Sequence, residues 1–178
     1  MSSAKEEHGR RDKPGSRRRR ARLAAVQALY QIELTGNPVP TTIAEFRRYR
    51  LSGDVDGVPM DDIDPEFFAE LATGVGQHRP ELDRRIAGAL TPDWPLERLD
   101  TVLRAILRAA SYELLHCSET PAKVVISEYM ALADSFFSGR EPALVNGVLD
   151  TISRKAAAGG AGTASPWPYL RKDRKSVV

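Results

Sequence analysis

A chain of 178 residues with 42% hydrophobic side chains has enough apolar material for one domain, or for two small subdomains sharing a core. Its one cysteine, Cys117, excludes an intramolecular disulfide framework, and no apolar run approaches the ~18 residues of a membrane span. The charged N-terminus lacks the apolar core of a signal peptide, so the chain reads as cytoplasmic. The net charge of +2 conceals an acidic body with basic ends: residues 1–22 carry nine Lys/Arg against three Asp/Glu, residues 23–153 eleven against twenty, and residues 154–178 six against one. Such a distribution suits a protein that meets a polyanion at one surface and a basic partner at another.

In chain order, residues 1–16 are polar, interrupted by Pro14-Gly15, and expected to be a disordered basic arm. The next segment predicts a helix that begins in an arginine block, Arg17, Arg18, Arg19, Arg20 and Arg22, and carries Leu23, Val26, Tyr30 and Leu34 on one face before Gly36 and Pro38 stop it. Thr42 and Glu45 have capping-box spacing for a short helix burying Ile43, Phe46 and Tyr49. An acidic loop, Asp54 to Asp62, leads to Asp64-Pro65-Glu66, an N-cap, a first-turn proline and a favourable acid opening a helix with Phe67, Phe68, Leu71 and Val75. Pro80 is expected to restart the chain as a separate helix with Leu82, Ile86 and Leu90. Pro92 to Pro95 is the candidate boundary between subdomains at about 17–91 and 95–153.

Beyond it, Leu99, Val102, Leu103, Ile106, Leu107, Ala110 and Leu114 predict a helix apolar around most of its girth, which belongs at the centre. Thr120-Pro121 starts a helix with Val125, Ile126, Tyr129, Leu132, Ala133 and Phe136 inward, and Glu141-Pro142 starts a last one with Val145, Val148, Leu149 and Ile152 inward. From residue 154 a basic, Gly/Ala-rich tail is expected to be disordered. The sum is an all-α fold of about seven helices.

Five arginines at the start of a packed helix point to phosphate recognition, because the planar guanidinium binds phosphate through two donors and stacks on unpaired bases. Tyr30 is placed to stack a base if it stands at the rim of that patch. Catalytic apparatus is not visible. There is no glycine-rich phosphate loop, no G-x-S-x-G and no methyl-donor signature. His116 and Cys117 are adjacent, but neighbouring helical side chains diverge, and one cysteine with His8, His78 and His116 offers no zinc motif. The acidic loop lacks the glycine and glutamate positions of a calcium loop. The expectation is a non-enzyme with no cofactor and no metal.

Three segments, RRRRARLAAVQALYQ from Arg17, LRAILRAASYELL from Leu103 and VNGVLD from Val145, resemble the NusB family of bacterial transcription antitermination factors in order and spacing. The stretch from Thr120 to Phe136 is similar to the family's corresponding helix through Pro121, Lys123, Val124 and Glu128. The resemblance covers Arg17 to Ile152 and implies two perpendicular three-helix subdomains. It also implies a protein that binds the boxA element of nascent ribosomal RNA together with the ribosomal protein NusE and helps load a complex onto RNA polymerase, with self-association of the free protein left open. Carried across residue by residue, Arg17, Arg18, Arg19, Arg20 and Arg22 match the RNA-contacting start, and Gln27 and Tyr30 its continuation. Asn146 and Gly147 match an asparagine-glycine pair whose structural reading is close helix approach at the glycine. Leu144 and Ala143 replace residues that are often aromatic and basic in the family, and Arg140 nearby is a candidate to restore the charge. Two alternatives stand beside this: the RNA-binding accessory domain of a ribosomal RNA cytosine methyltransferase, whose catalytic domain this chain is too short to hold, and a helical protein–protein adaptor that reads no RNA.

Overall fold

The computed structural model describes residues 15–50, 54–55, 58–59 and 63–159. Among them six α-helices supply nearly all the regular structure: α1 (Ser16–Thr35), α2 (Val39–Glu45), α3 (Pro65–Ala89), α4 (Thr101–His116), α5 (Ala122–Phe136) and α6 (Glu141–Gly159). A π-helical turn, Phe46–Arg50, extends α2, a 3-10 turn, Leu96–Arg98, precedes α4, and Asp54–Val55 pairs antiparallel with Val58–Pro59. The all-α expectation holds.

Two of the seven predicted helices are one, because α3 runs straight through Pro80. A helical proline lacks an N–H and crowds the carbonyl four residues back. Here that residue is Gly76, and both it and Pro80 are on the exposed side, so the unmatched carbonyl is lost where water can replace the bond. Thr42 is no N-cap: α2 begins at Val39 behind Pro38, and the buried Thr42 hydroxyl donates to the Pro38 carbonyl at 3.3 Å. Phe46 is buried as expected, stacked 5.7 Å from Phe68, but Tyr49 is exposed. At the far end α6 continues to Gly159, so residues 154–159 are helix, not tail. The arm before residue 15, most of the acidic loop and the tail beyond 159 lie outside the described residues.

The predicted start of α3 is realised in detail, with the Asp64 carboxylate accepting from the Phe67 amide at 3.0 Å and Pro65 in the first turn. As the apolar girth of its sequence requires, α4 is central: it packs on α1, α3, α5 and α6, and Leu103, Ala105, Ile106, Leu107, Ala109 and Ala110 are buried. The buried apolar side chains of α1, α3, α4, α5 and α6, with Phe46, Ile63, Leu99 and Cys117 from the links, form one continuous cluster, and the partly buried Ile43 of α2 packs against it. Against α3 and α4, α1 presents mainly alanines, Ala21, Ala24, Ala25 and Ala28, whose small size allows close axial approach. At Gly74, α3 packs tightly against α4, and any Cβ there would overlap the ring of Tyr112. Gly147 does not serve helix approach, since a Cβ there meets open space.

Every long charged side chain buried on α4 is paired with α1 or α3. At one end of α1, Glu33 accepts from Arg104 and, at 2.8 Å, from Arg108, which also donates to Asp83 of α3 at 2.7 Å. At the other end Arg22 meets Glu113, so α1 and α4 run antiparallel between two ionic clamps. Burial raises the Glu33 pKa, but the hydrogen bonds and charges of Arg104 and Arg108 outweigh it and leave the group below its ordinary 4.5.

Two outcomes follow. In urea denaturation, Gly147→Ala gains about 0.5–1 kcal/mol by removing a helix-interior glycine, whereas Gly74→Ala loses about 1–3 kcal/mol through overlap with Tyr112. A depressed carboxylate pKa contributes stability that is present above its unfolded value and lost as pH falls through the folded one. The stability difference between wild type and Glu33→Gln, read from the same curves, therefore stays constant from neutrality to about pH 5 and shrinks below 4.5.

Candidate nucleic-acid interface

The first turn of α1 is built to present positive charge. Its N-cap is Gly15, at φ 99°, which supplies no side-chain cap, and no acid stands in the turn, so the first amides keep the anion-attracting character of a helix start. The turn is tied to the start of α3: the Arg17 carbonyl accepts from the Asp64 amide at 3.3 Å, and the Arg17 guanidinium donates to the Ile63 carbonyl at 3.4 Å. Arg18 lies over the Phe67 ring, 3.9 Å from its centroid, with Glu119 at 3.7 Å. Arg19 donates from Nε and NH2 to the two oxygens of Glu128 on α5, each at 2.8 Å. Arg17 and Arg19 are exposed, and Arg18 and Arg20 half-buried.

Arg22 departs from the expected set. Its guanidinium is turned into the core, donating to both oxygens of the fully buried Glu113 at 2.9 and 2.6 Å, with Phe67 on one side and Glu128 at 3.9 Å. A group consumed in this way has no face left for phosphate, and Arg22 is a structural residue. Burial lowers its pKa, but the Glu113 hydrogen bonds and charge more than reverse that. The exposed Arg19 is raised too, chiefly by its bond to Glu128, and the same bond holds Glu128 below the usual carboxylate value, so both are charged at neutral pH.

At about 3.6 residues per turn, Arg19, Leu23 and Tyr30 fall along one side of α1. Tyr30 and Leu34, expected inward, are 37% and 61% exposed. With Gln27, Val102 and Phe136 they line an open groove of about 360 Å³; Phe136, also expected inward, is 43% exposed there. The groove is mostly apolar with an amide, Gln27, and a phenol, Tyr30, on its wall, a composition able to stack and hydrogen-bond an unpaired base. Arg140 is exposed on the α5–α6 loop, four residues beyond Phe136, and Asn146 is exposed in the second turn of α6. The structure therefore brings Gln27 and Tyr30 together on one groove and aligns them with Arg19, while Arg140 and Asn146 stand on separate elements.

Several residues that shape the site carry weak signals in sequence. Glu113 is a lone acid in an otherwise apolar stretch, which marks it as paired, but its partner lies 91 residues away. Glu128 and Glu119 read as ordinary solvated acids. His78 and His116, expected to be unrelated filler, have ring centroids 4.3 Å apart. Cys117 points away from His116 to Glu70, with Sγ 3.5 Å from Oε1, and burial and that carboxylate push its pKa to about 12, which leaves an inert thiol.

An all-helical domain with an arginine-lined start to its first helix and an apolar groove further along it belongs to the class of small helical-bundle proteins with a basic face. The NusB family profile matches residues 19–154, and this chain belongs to the NusB family. It is 45% identical over 155 residues to the transcription antitermination protein NusB of Bartonella tribocorum, covering 87% of this chain and 98% of that one. To the Caulobacter vibrioides protein of the same name it is 48% identical over 136 residues, covering 76% and 91%. Among solved structures, T. maritima NusB aligns with a TM-score of 0.66 at 30% identity, covering 79% of this chain and 92% of that one. A crystal structure of antitermination factors NusB and NusE in complex with dsRNA has a chain of the same fold, with a TM-score of 0.64 at 24% identity, covering 78% and 96%.

The two arginine–glutamate pairs differ in what their loss costs. Glu113→Ala strands the Arg22 charge in the core and lowers stability by about 3–5 kcal/mol, whereas Arg19→Ala, at an exposed pair, changes it by less than about 1 kcal/mol; chemical denaturation of the two variants side by side checks the contrast.

Proposed function

We propose that this chain is a transcription antitermination factor that binds the boxA element of nascent ribosomal RNA through the first turn of α1 and the α1 groove. It acts with a NusE-type ribosomal protein and delivers that complex to RNA polymerase. The observation that carries this reading is the arrangement of Arg17, Arg18, Arg19 and Arg20 on a helix start that is pinned to α3 and α5, in line with Gln27 and Tyr30 at the groove. Family membership and the antitermination names of relatives matched over nearly their whole length support it.

In this mechanism phosphates displace Glu119 and Glu128 from Arg18 and Arg19, and an unstacked base enters the groove against Tyr30, with Gln27 on its edge. Arg140, from the α5–α6 loop, and Asn146, from α6, extend the contact. Because Glu128 is already ionised, the exchange of a carboxylate for a phosphate changes no protonation state at neutral pH. The acidic body is the surface for the basic ribosomal partner, by charge complementarity. Relatives that carry the antitermination name favour this over a methyltransferase accessory role.

Filter binding of a boxA RNA and of a scrambled control, with and without the NusE-type protein, tests the proposal. The wild type prefers boxA, and the preference sharpens with the partner. Replacing Arg17, Arg19 and Arg20 by alanine weakens boxA binding about tenfold or more and lowers the salt slope by about 2, at ~0.7 per single-strand phosphate contact. Equal affinity for boxA and the scrambled RNA would leave only a helical adaptor.

A further inference from the structure

Away from the groove, α3 and α4 bring together donors that sequence separates. His78 and Glu81 are three residues apart on α3 and so share a face. His116 is the last residue of α4, which packs against α3. One nitrogen from each imidazole and one carboxylate oxygen of Glu81 all lie within 4.8 Å of one another. His116 Nε2 is 3.6 Å from Glu81 Oε2, while the other oxygen, Oε1, is held at 3.3 Å by Nε of Arg85, one turn further along α3. The carboxylate is thus anchored on one side and offered on the other.

One of the histidines is also held by the backbone. His78 Nδ1 lies 3.0 Å from the Gly74 carbonyl oxygen. A carbonyl can only accept, so Nδ1 is the donor in this contact. A backbone carbonyl held by one ring nitrogen is the kind of outer partner that metal-binding histidines have. The Tyr112 ring stacks on His116 at 5.0 Å and lies 5.7 Å from His78, walling one side of the cluster; that ring is itself seated against Gly74.

We propose that His78, Glu81 and His116 form a binding site for one divalent transition-metal ion of the zinc type, distinct from the RNA-binding face. Two imidazoles and one carboxylate are the donor set for Zn²⁺ and its neighbours, whereas Mg²⁺ and Ca²⁺ demand oxygen ligands. Tetrahedral bonds of about 2.0 Å impose a ligand spacing of roughly 3.3 Å, so the three atoms draw together from their present spacing of up to 4.8 Å when the ion binds. Three protein ligands leave the fourth position to water. The ion fastens the C-terminal end of α4 to the middle of α3, so binding adds to the stability of the fold by linkage.

The full chain, tag-free and treated with chelator, is titrated calorimetrically with ZnCl₂, and with CoCl₂ while visible absorption is recorded. The site predicts one ion per chain, tetrahedral Co²⁺ bands, and a Tm that rises with Zn²⁺ but not with Mg²⁺. His116→Ala and Glu81→Gln each weaken Zn²⁺ binding at least about tenfold; Glu81→Gln, a half-exposed position on α3, keeps the test open should His116→Ala fail to fold. His8→Ala, at the remaining histidine, leaves the affinity unchanged. Absence of wild-type binding, binding undiminished by Glu81→Gln and His116→Ala, or loss on His8→Ala would each overturn the proposal, and the first would leave a plain aromatic stack of Tyr112 with the two imidazoles.

Discussion

The Arg22–Glu113 ion pair is the constraint on which the rest of the molecule depends. Taking both charges out of water is costly, and the cost is offset only because the guanidinium meets both carboxylate oxygens in the fork geometry that suits it. Once formed, the pair permits little else. It fixes the rotation of α1 about its axis, since Arg22 must face α4, and with Glu33 meeting Arg104 and Arg108 eleven residues later it fixes the antiparallel register as well. The alanines of α1 permit the close approach that the clamps require. A helix held at two points by charge and along its length by small apolar side chains cannot slide or roll without exposing a buried ion.

That rigidity has a functional consequence at the first turn. With Arg22 directed inward, Arg19, Leu23 and Tyr30 are carried onto the adjacent flank, where Arg19 meets α5, and Arg17 and Arg18 are set against the start of α3. The basic block is therefore not a loose polycation. Its members stand at defined positions, and two of them already hold carboxylates, Glu119 and Glu128. Exposed pairs of this kind contribute little to stability. They act more as placeholders that keep the arginines oriented and are exchangeable for phosphate, trading some affinity for geometry.

How much of this is legible in the sequence depends on the range of the interaction that decides each feature. Features settled within a few residues read through: the Asp64-Pro65 helix start, the apolar girth that places α4 at the centre, and the buried stripe of α6 at Val145, Val148, Leu149 and Ile152. Features settled by a distant partner do not. Arg22 looks like the other arginines until Glu113 is brought to it, and Tyr30, Leu34 and Phe136 look like core residues because apolar periodicity does not distinguish a core from a groove. Pro80 reads as a break because local chemistry does not reveal that the side it disrupts faces solvent. The pairing of His78 with His116 depends on the α3–α4 contact, which no local pattern encodes.

The division of the arginine block into one structural and four presented residues is tested most directly by removing the buried charges without stranding either. The double variant Arg22→Met, Glu113→Leu replaces the pair with apolar side chains, a change that leaves stability near neutral in comparable settings. Its affinity for boxA RNA, measured over a range of salt concentrations, is expected to match wild type in both magnitude and slope. A slope shallower by about 0.7, with a matching loss of affinity in a protein of undiminished helicity, would show that Arg22 touches phosphate and would contradict the assignment.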